Sequence, residues 1–258
     1  MKDFTPLSFD ALGAFAAMWM TITRIPLPHA LRPQTLVLPS ADAMVTMPLA
    51  GALFALLAVL PAWALTFVLP PEPCAWLACA IYTALGWSFH IDGWGDLWDG
   101  LGSGRRGEAM RTVMKDSRTG SFGVAGIVLA LALRAVLLAS IPSGRWLAAC
   151  MLAGGVGRFG ACVTAFAGIY PWPGGLGKEI VDGTDARRLA CAFLLSCLLI
   201  PFAPAAWSFG VLLAALGGLI LARTAGRTLG GTNGDVLGAA AVLGELSVLL
   251  AIAATLHL

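Results

Sequence analysis

Residues Ala75–Gly100 read AWLACAIYTALGWSFHIDGWGDLWDG, an uncharged apolar run followed at once by a group of acidic residues. The run up to Phe89 contains no charged side chain, whereas Asp92, Asp96 and Asp99 follow within a short distance. Such an apolar run is typical of a helix that enters a lipid bilayer, where an ionisable group is costly and marks a functional site. The stretch therefore predicts a membrane helix that leads into a polar site.

The composition of the whole chain indicates the same class of protein. The 258 residues are 59% hydrophobic and 12% charged, and the mean hydropathy is +0.85, whereas a soluble domain carries about a quarter charged residues. We predict an all-α polytopic integral membrane protein in which residues 1–258 form a single domain embedded in the lipid bilayer. The net charge of +2 is too small to indicate a nucleic-acid partner. The composition leaves a homo-oligomer open.

Apolar runs of about 20 residues, the length that crosses a bilayer, recur along the chain. We predict about seven transmembrane helices, at residues 45–69, 74–91, 121–142, 146–168, 189–203, 206–222 and 236–257. A shorter apolar segment, Ala11–Thr23, precedes them and is predicted to form an amphipathic or re-entrant helix. If this segment crosses the membrane, the number of spans becomes eight.

The basic residues are divided unequally between the two sides of these predicted spans. Of the 16 Lys and Arg residues, thirteen fall on one side, Arg145 falls on the other, and Arg134 and Arg158 lie within spans. Because basic loops remain in the cytoplasm, this asymmetry predicts a multi-pass protein of the cytoplasmic (inner) membrane with its long loops inside the cell. Most acidic residues share that side, so the active face is predicted to be cytoplasmic, with a catalytic loop at about residues 90–123.

The three aspartates of the opening stretch have the spacing of one helix face. Positions i, i+4 and i+7 place Asp92, Asp96 and Asp99 within an arc of about 60°. Like charges repel unless a cation neutralises them, and carboxylate oxygens suit Mg²⁺ better than zinc. We therefore predict that these three residues hold Mg²⁺; a solvated acidic loop is the alternative. The residues that would let a ligand approach the helix backbone closely are Gly93, Gly95 and Gly100.

A glycine-rich turn and a group of cations follow in residues 102–123. Arginine grips phosphate with two parallel hydrogen bonds, and lysine offers a compact charge. Acids that hold a divalent metal, followed by bases that hold phosphate, are typical of phosphoryl or nucleotidyl transfer. We predict that Lys115 and Arg118 take part in catalysis; a basic loop that only sets the topology is the alternative, above all for Arg105 and Arg106. The residues of this segment predicted to bind substrate are Arg105, Arg111, Asp116 and Ser117.

Further polar residues occur on the same side of the predicted spans. Arg24 in TRIPLP and Gly175 in YPWPGGLG are predicted to bind substrate. Asn233 and Asp235, at the entry to the last span, are predicted to do the same, with helix capping as the alternative for Asp235. His90, which precedes the acids, is a candidate catalytic residue, either as a general base or as a metal ligand, and an interfacial position is the alternative.

An ionisable residue also lies inside the last predicted span. Glu245 is surrounded by apolar residues in the sequence. A carboxylate at membrane depth indicates a polar cavity or a charged partner. The candidate partners are Arg134 and Arg158, which lie within other predicted spans.

The stretch FHIDGWGDLWDGLGSGRRGEAMRTVMKDSRTGSFG closely resembles the signature of the cobalamin synthase family. That signature is H-x-D-G-x-x-D-x-x-D-G, then a glycine-rich turn, then M-K-D-S-R-x-G-x-F-G. TITRIPLP, YPWPGGLG and GGTNGDVLGA resemble three further segments of the family in the same order, so the resemblance extends from Thr21 to Ala239. Asn233 stands where the family pattern has threonine.

This resemblance implies a Mg²⁺-dependent transferase of substituted phosphate groups that acts in cobalamin biosynthesis. The expected reaction is the joining step of cobamide assembly, in which α-ribazole or its 5′-phosphate displaces GMP from adenosylcobinamide-GDP. Asp92, Asp96 and Asp99 would hold Mg²⁺ against the pyrophosphate. Lys115 and Arg118 would neutralise the leaving GMP, and either Asp99 or His90 would accept the proton of the ribose hydroxyl.

Two other functions remain as alternatives at this point. A membrane CDP-alcohol-type phosphotransferase also uses clustered aspartates at a membrane helix, but its longer motif spacing is not met here. A transporter would use the intramembrane charges, but its polar groups should lie at the midplane of the bilayer, whereas those of this sequence gather on one face.

Overall fold

The computed structural model describes residues 10–32 and 39–256, and these residues form α-helices, three short 3-10 turns and no strand. The predicted all-α class is therefore confirmed. The helices are Ala11–Ile22 (α1), Ala41–Leu65 (α2), Pro71–Leu85 (α3), Phe89–Gly102 (α4), Glu108–Met114 (α5), Ser121–Ser140 (α6), Trp146–Ala167 (α7), Gly177–Gly183 (α8), Ala186–Cys197 (α9), Pro204–Thr228 (α10) and Gly234–Thr255 (α11).

Five helices of the described chain are long and apolar enough to cross a membrane. They are α2, α6, α10, α11, and α7 together with the turn that precedes it. The pair α3 and α4 forms a sixth candidate that is bent by 92°. This confirms a multi-pass membrane protein. The prediction of about seven spans differs from these helices at two places, residues 74–91 and 189–203.

The predicted span 74–91 is broken in the middle. Helix α3 ends at Leu85, and Trp87 and Ser88 have positive φ angles of 42° and 58°. Two successive left-handed residues interrupt the helical hydrogen-bond pattern and redirect the chain. The carbonyl of Leu85 accepts hydrogen bonds from the Arg24 backbone N–H (2.7 Å) and the Thr23 hydroxyl (3.2 Å). The segment after α1 therefore holds the corner between α3 and α4.

The predicted span 189–203 is a short helix followed by a turn. Helix α9 has 12 residues, and a 3-10 turn at Ile200–Phe202 separates it from α10. Pro201 lies in this turn and Pro204 begins α10. Proline has no backbone N–H to donate to a preceding helical turn, so it favours a break between two helices. In α10, Gly210 faces Val248 of α11, and Gly217 faces Leu243, so the two helices are antiparallel. Helix α9 and its turn therefore return the chain to the opposite end of the bundle.

Helix α7 lies at the centre of the bundle and packs through glycines. Gly154 faces Gly51 of α2, and Gly157 faces Gly244 of α11. A Cβ atom at Gly244 would lie 2.8 Å from the Cα atom of Gly157, so the two backbones are in direct contact. Small residues allow this approach, and in lipid the association of helices depends on such packing.

The amphipathic or re-entrant segment predicted at the N-terminus is a helix of 12 residues, α1. Asp10 caps it by accepting a hydrogen bond from the Gly13 N–H (3.0 Å). Met18 and Trp19 are buried, and the Thr46 hydroxyl of α2 donates to the Ala14 carbonyl (3.4 Å). A helix of 12 residues is shorter than the ~20 that cross a bilayer. It therefore packs on α2 as a short helix.

Candidate active site

Helix α4 carries the three predicted aspartates, which confirms that this stretch is helical. Asp92 is exposed, Asp96 is half-buried and Asp99 is buried. The helix packs against α11 and α6 through its glycines. Carboxylates spaced along one face thus experience three different environments.

The glycines of α4 do not serve the purpose that the sequence indicated. A Cβ atom at Gly93 would lie 2.9 Å from the Cα atom of Asp235, and one at Gly95 would lie 2.8 Å from Ile127 of α6. Gly100 faces Met114 of α5 at a similar distance, 2.8 Å. The interpretation that these glycines open the helix backbone to a ligand is wrong, because neighbouring protein segments occupy that space.

Asp99 joins α4 to the beginning of α6. Its two carboxylate oxygens accept hydrogen bonds from the backbone N–H groups of Gly120 and Gly123, each at 2.7 Å. The first N–H groups of a helix have no partner within the helix, and a carboxylate there is also favoured by the helix dipole. Asp99 therefore caps α6.

A second group of carboxylates lies where α4 meets the beginning of α11. The Asp235 backbone lies against Gly93 of α4, 2.9 Å from a Cβ atom placed there, and the Asp235 carboxylate is close enough to those of Asp92 and Asp96 for the like charges to repel. We call Asp92, Asp96 and Asp235 the carboxylate cluster. Within residues 10–32 and 39–256, the carboxylates of Asp92 and Asp96 accept no hydrogen bond, so their oxygens are available to a ligand.

Asn233 is the residue that caps α11, and Asp235 is not. The Asn233 Oδ1 atom accepts from the Val236 N–H (3.1 Å), and its Nδ2 atom donates to Oδ2 of Asp235 (2.8 Å). Asn233 therefore orients a member of the carboxylate cluster. The capping alternative for Asp235 is wrong, since the helix is already capped by the residue two positions earlier.

The carboxylate cluster has the donor type that Mg²⁺ requires. No three His, Cys, Asp or Glu side chains in the described parts of the chain lie close enough to form a complete ligand set. Magnesium usually takes one or two carboxylates and leaves its other positions to water and substrate phosphates. Asp92 and Asp96 are one helical turn apart with free oxygens, so they fit such a partial set, whereas both Asp99 oxygens already accept backbone hydrogen bonds.

Two predicted cations lie in or beside the loop between α5 and α6. Lys115 ends α5, is exposed, and interacts electrostatically with Asp235. Arg118 is paired with Asp116, from Nη2 to Oδ2 at 2.8 Å and from Nε to Oδ1 at 3.1 Å. The hydrogen bonds from the Arg118 side chain and backbone lower the pKa of Asp116 from 3.8 to about 2. Lys115 thus lies beside the carboxylate cluster, and Arg118 is held by its neighbour.

The other predicted substrate-binding residues of this segment have separate surroundings. Arg105 and Ser117 are exposed. Arg111 pairs with Glu108 at 3.2 Å, and its guanidinium lies 4.7 Å from the ring centre of Trp172. Its Nε atom is buried and has no hydrogen-bond partner within the described residues. The contact brings the YPWPGGLG segment against α5, and the sequence did not reveal it.

Gly175 belongs to a loop that reaches the carboxylate cluster, whereas Arg24 lies elsewhere. Gly175 has φ +133°, a conformation that favours glycine, and it lies beside the Tyr170 hydroxyl. This loop reaches the beginning of α11, because a Cβ atom at Gly177 would lie 3.2 Å from the Gly234 nitrogen. Arg24 instead lies over Trp87, 3.9 Å from a ring centre, at the corner between α3 and α4.

His90 faces the interior of the bundle. Its Nδ1 atom lies 3.4 Å from Nη2 of Arg158, and its backbone contacts Gly238 of α11. Positions two apart on a helix differ by about 200°, so His90 and Asp92 point to different sides of α4. The structure therefore places the His90 side chain against a second polar group deeper in the bundle, on a different side of α4 from Asp92.

That second group contains the intramembrane charges singled out in the sequence. Glu245 is buried, and its Oε2 atom pairs with Nη1 of Arg134 at 2.7 Å. Its Oε1 atom binds Arg158 and accepts a hydrogen bond from the Tyr82 hydroxyl. Both predicted partners of Glu245 are confirmed. Tyr82 was missed, because a tyrosine within an apolar run gives no signal in one sequence.

Fold and site together define a class: a multi-pass, all-α membrane protein with clustered carboxylates and a basic loop at one end of its bundle. The chain belongs to the family described as Cobalamin-5-phosphate synthase, whose sequence profile matches residues 14–253. The resemblance noted in the sequence is therefore confirmed over nearly the whole chain.

Curated relatives share one name, adenosylcobinamide-GDP ribazoletransferase. The protein from Bradyrhizobium diazoefficiens is 38% identical over 190 residues, which cover 72% of each chain. The protein from Syntrophobacter fumaroxidans is 34% identical and covers 92% of this chain and 96% of its own. The protein from Citrobacter koseri is 33% identical, with coverages of 92% and 98%. No solved structure matches this chain.

Proposed function

We propose that this protein is an adenosylcobinamide-GDP ribazoletransferase. The observation that carries the proposal is the convergence of Asp92, Asp96 and Asp235, from two separate helices, beside Lys115. Carboxylates with free oxygens next to a cation suit a substrate that brings phosphate groups and a divalent metal. The family and the shared name of its relatives support the same reaction.

The proposed reaction transfers adenosylcobinamide phosphate from GMP to a ribose hydroxyl. The hydroxyl oxygen of α-ribazole or its 5′-phosphate forms a bond to the phosphorus that carries cobinamide. The bond between that phosphorus and the bridging oxygen breaks, and its electron pair leaves with GMP. The product is adenosylcobalamin or its 5′-phosphate, and the hydroxyl proton passes to a base.

Asp92 and Asp96 are the residues that would hold Mg²⁺, as a partial set of two carboxylates. The ion would neutralise the pyrophosphate and stabilise charge on the leaving phosphate. Asp99, predicted as a third ligand, is assigned instead to the cap of α6, because both of its oxygens bind backbone N–H groups. This assignment fits a magnesium site that keeps several positions for water and substrate.

Lys115 and Arg118 are proposed to bind the phosphates of adenosylcobinamide-GDP. Lys115 lies beside the cluster, and the exposed Arg118 can exchange its bond to Asp116 for one to a phosphate. The base is assigned to Asp235, whose Oδ2 is oriented by Asn233. Of the earlier candidates, Asp99 already accepts two hydrogen bonds, and His90 turns its Nδ1 towards Arg158.

The end of the bundle that carries the cluster is proposed to face the cytoplasm, with the protein in the inner membrane. The distribution of Lys and Arg supports this orientation. The nucleotide-bearing substrate then binds from the cytoplasm, and the lipid bilayer is the one lasting partner that the proposal requires.

The experiment is an assay of GMP release by the purified protein in nanodiscs with adenosylcobinamide-GDP, α-ribazole and Mg²⁺. We expect Asp96→Asn to lower the rate by at least about 100-fold. The matched control is Asp182→Asn, since Asp182 is exposed and pairs with Lys178 of its own helix. A CDP-alcohol phosphotransferase or a transporter would release no GMP, and GMP release that is insensitive to Asp96→Asn would contradict the proposed site.

A further inference from the structure

The buried ionic group deep in the bundle carries unequal charge. Arg134 of α6, Arg158 of α7 and Glu245 of α11 meet beside Tyr82 of α3, and we call these four residues the inner charge cluster. From helices α2 and α4 the neighbouring side chains are Phe54 and His90. Two guanidinium groups against one carboxylate leave a net charge of +1 when the imidazole is neutral.

The inner charge cluster lies at membrane depth. Glu245 is about 16 Å from the beginning of α11, and Arg134 is about 20 Å from the beginning of α6, at 1.5 Å per residue. Arg158 is 1% exposed and Glu245 is 4% exposed. An unbalanced charge in such a place is costly, so it indicates a missing anionic partner.

Both arginines have N–H donors without a hydrogen-bond partner in the part of the chain that the structure describes. The Nε atom of Arg158 is buried and has no hydrogen-bond partner among the described residues. Arg134 donates from Nη1 to Glu245, and its guanidinium lies 3.6 Å from the ring centre of Tyr82. Since a guanidinium has five N–H donors, Arg134 retains several that can reach an additional acceptor.

A cavity lies against these arginines. It is lined by Tyr82, Ser88, Arg134, Arg158 and Glu245, and its volume is about 40 Å³. A water molecule needs roughly 10–15 Å³ measured in this way, so the cavity holds a few waters or one small oxyanion. A phosphate group fits this space, whereas a nucleoside does not.

Two apolar spaces adjoin the cavity. Through Thr83, Ser88 and Leu131 it meets a groove of about 380 Å³ between α3 and α6, which includes the exposed Trp76. Through His90 it meets an apolar cavity of about 60 Å³ that extends to Gly234 beside the carboxylate cluster. An anionic group that is attached to an apolar body could therefore enter from either side.

We propose that the inner charge cluster binds a single phosphate group, held by Arg134 and Arg158. Two sources have this chemistry, the 5′-phosphate of α-ribazole 5′-phosphate and the phosphate of an anionic phospholipid. The first source rests on the proposed function, because it makes the cluster a substrate subsite; the second does not. In both cases the spare guanidinium donors bind the phosphate oxygens, and the apolar spaces receive the rest of the molecule.

The test compares Arg134→Gln with the wild type in nanodiscs of phosphatidylcholine. This change leaves Glu245 paired with Arg158, so no buried carboxylate loses its last cation. The matched control is Arg145→Gln, an exposed arginine of the turn before α7. Dissociation constants are measured by calorimetry for α-ribazole 5′-phosphate and for α-ribazole. Phosphatidylglycerol retained after purification from mixed lipid is counted by native mass spectrometry.

If the inner charge cluster is a substrate subsite, Arg134→Gln should raise the dissociation constant of α-ribazole 5′-phosphate at least 10-fold and that of α-ribazole less than 2-fold. A lipid site predicts that the variant loses retained phosphatidylglycerol with both constants unchanged. Leu131→Phe narrows the opening without altering charge and should cause the same selective loss of α-ribazole 5′-phosphate binding. Arg134→Lys keeps the positive charge and should retain most of the binding that Arg134→Gln loses. Equal changes for both ribazoles together with unchanged lipid would overturn the proposal.

The two proposals fail in different ways. If the wild type releases no GMP but Arg134→Gln still loses phosphate-specific binding or lipid, the transferase assignment fails and the phosphate site stands. If GMP release depends on Asp96 while Arg134→Gln behaves as Arg145→Gln does, the transferase stands and the phosphate site is refuted.

Discussion

Aspartates that share one face of α4 have unlike partners, and those partners decide what each can do. Asp99 accepts two hydrogen bonds from the N-terminal backbone of α6, so its charge is already satisfied by the protein. Asp92 and Asp96 instead face Asp235, a like charge, across the contact between α4 and α11. Carboxylates that repel one another are stabilised by a cation, which is the basis of the proposed magnesium site.

Asp116 provides a prediction about pH at the same scale. Because Arg118 lowers the pKa of Asp116 to about 2, this carboxyl stays ionised at every pH in the working range. Its ionisation state changes only as the pH falls towards 2, so it contributes no step to a rate profile above pH ~4. We expect Asp116→Asn to leave the shape of the pH–rate profile between pH ~5 and ~9 unchanged, whatever happens to its height. A lost or displaced inflection in the GMP-release profile would contradict this.

At the scale of elements, Asp99 links α4 to α6 and its loss should be a stability defect. Asp99→Ala removes two charge-assisted hydrogen bonds to Gly120 and Gly123, which should cost about 2–3 kcal/mol. Asp99→Asn keeps one acceptor oxygen and should cost less. Thermal unfolding in detergent should give the lowest Tm for Asp99→Ala, a higher Tm for Asp99→Asn and the highest Tm for the wild type. An unchanged Tm for Asp99→Ala with abolished turnover would mean that Asp99 acts in the chemistry.

The corner between α3 and α4 is an element-scale feature that depends on backbone conformation. Ser88 adopts φ 58°, a left-handed conformation that costs about 1–2 kcal/mol for residues other than glycine and more for β-branched side chains. We expect Ser88→Val to lower the Tm clearly and Ser88→Gly to leave it unchanged or raise it. The control is Ser208→Val, which replaces an exposed serine within α10. Equal effects at the two positions would show that the corner is not strained.

The sequence predicts those features that depend on local chemistry. Hydropathy predicts the long spans, and the spacing of the aspartates predicts that they share a helix. Glu245 within a span predicts a charged partner, and both candidates, Arg134 and Arg158, are its partners in the structure. Contacts between distant segments are missed where no buried charge calls for a partner. The α3–α4 corner follows from hydrogen bonds between residues 21–24 and α3, and the position of Asp235 follows from the packing of α11 on α4. One sequence contains no signal for such long-range partners.

At the scale of the whole molecule, the helices arrange the polar loops at one end of the bundle. Helices α7 and α10 run in the same direction, since Gly160 faces Ala214 and, four residues further along both helices, the Thr164 hydroxyl donates to the Gly218 carbonyl (3.1 Å). Because α11 is antiparallel to α10, the end of α10 and the beginning of α11 meet beside the carboxylate cluster. The turn between α6 and α7, which carries Arg145, lies at the opposite end. This separation is what the asymmetry of basic residues requires of a membrane-inserted bundle.

The orientation in the membrane is the prediction that belongs to this scale. We expect the cluster end in the cytoplasm, because basic loops resist translocation across the membrane. Ser103→Cys places a thiol at an exposed position of that end, and Gly144→Cys places one at the other end, where a Cβ atom meets nothing within 4 Å. A membrane-impermeant maleimide should label Gly144→Cys in intact spheroplasts and Ser103→Cys only in inverted vesicles.

The unsubstituted protein is the background control, since four of its cysteines are buried and two are partly buried. The reverse pattern would place the carboxylate cluster outside the cell, away from any cytoplasmic nucleotide substrate, and would contradict the orientation and the proposed reaction together.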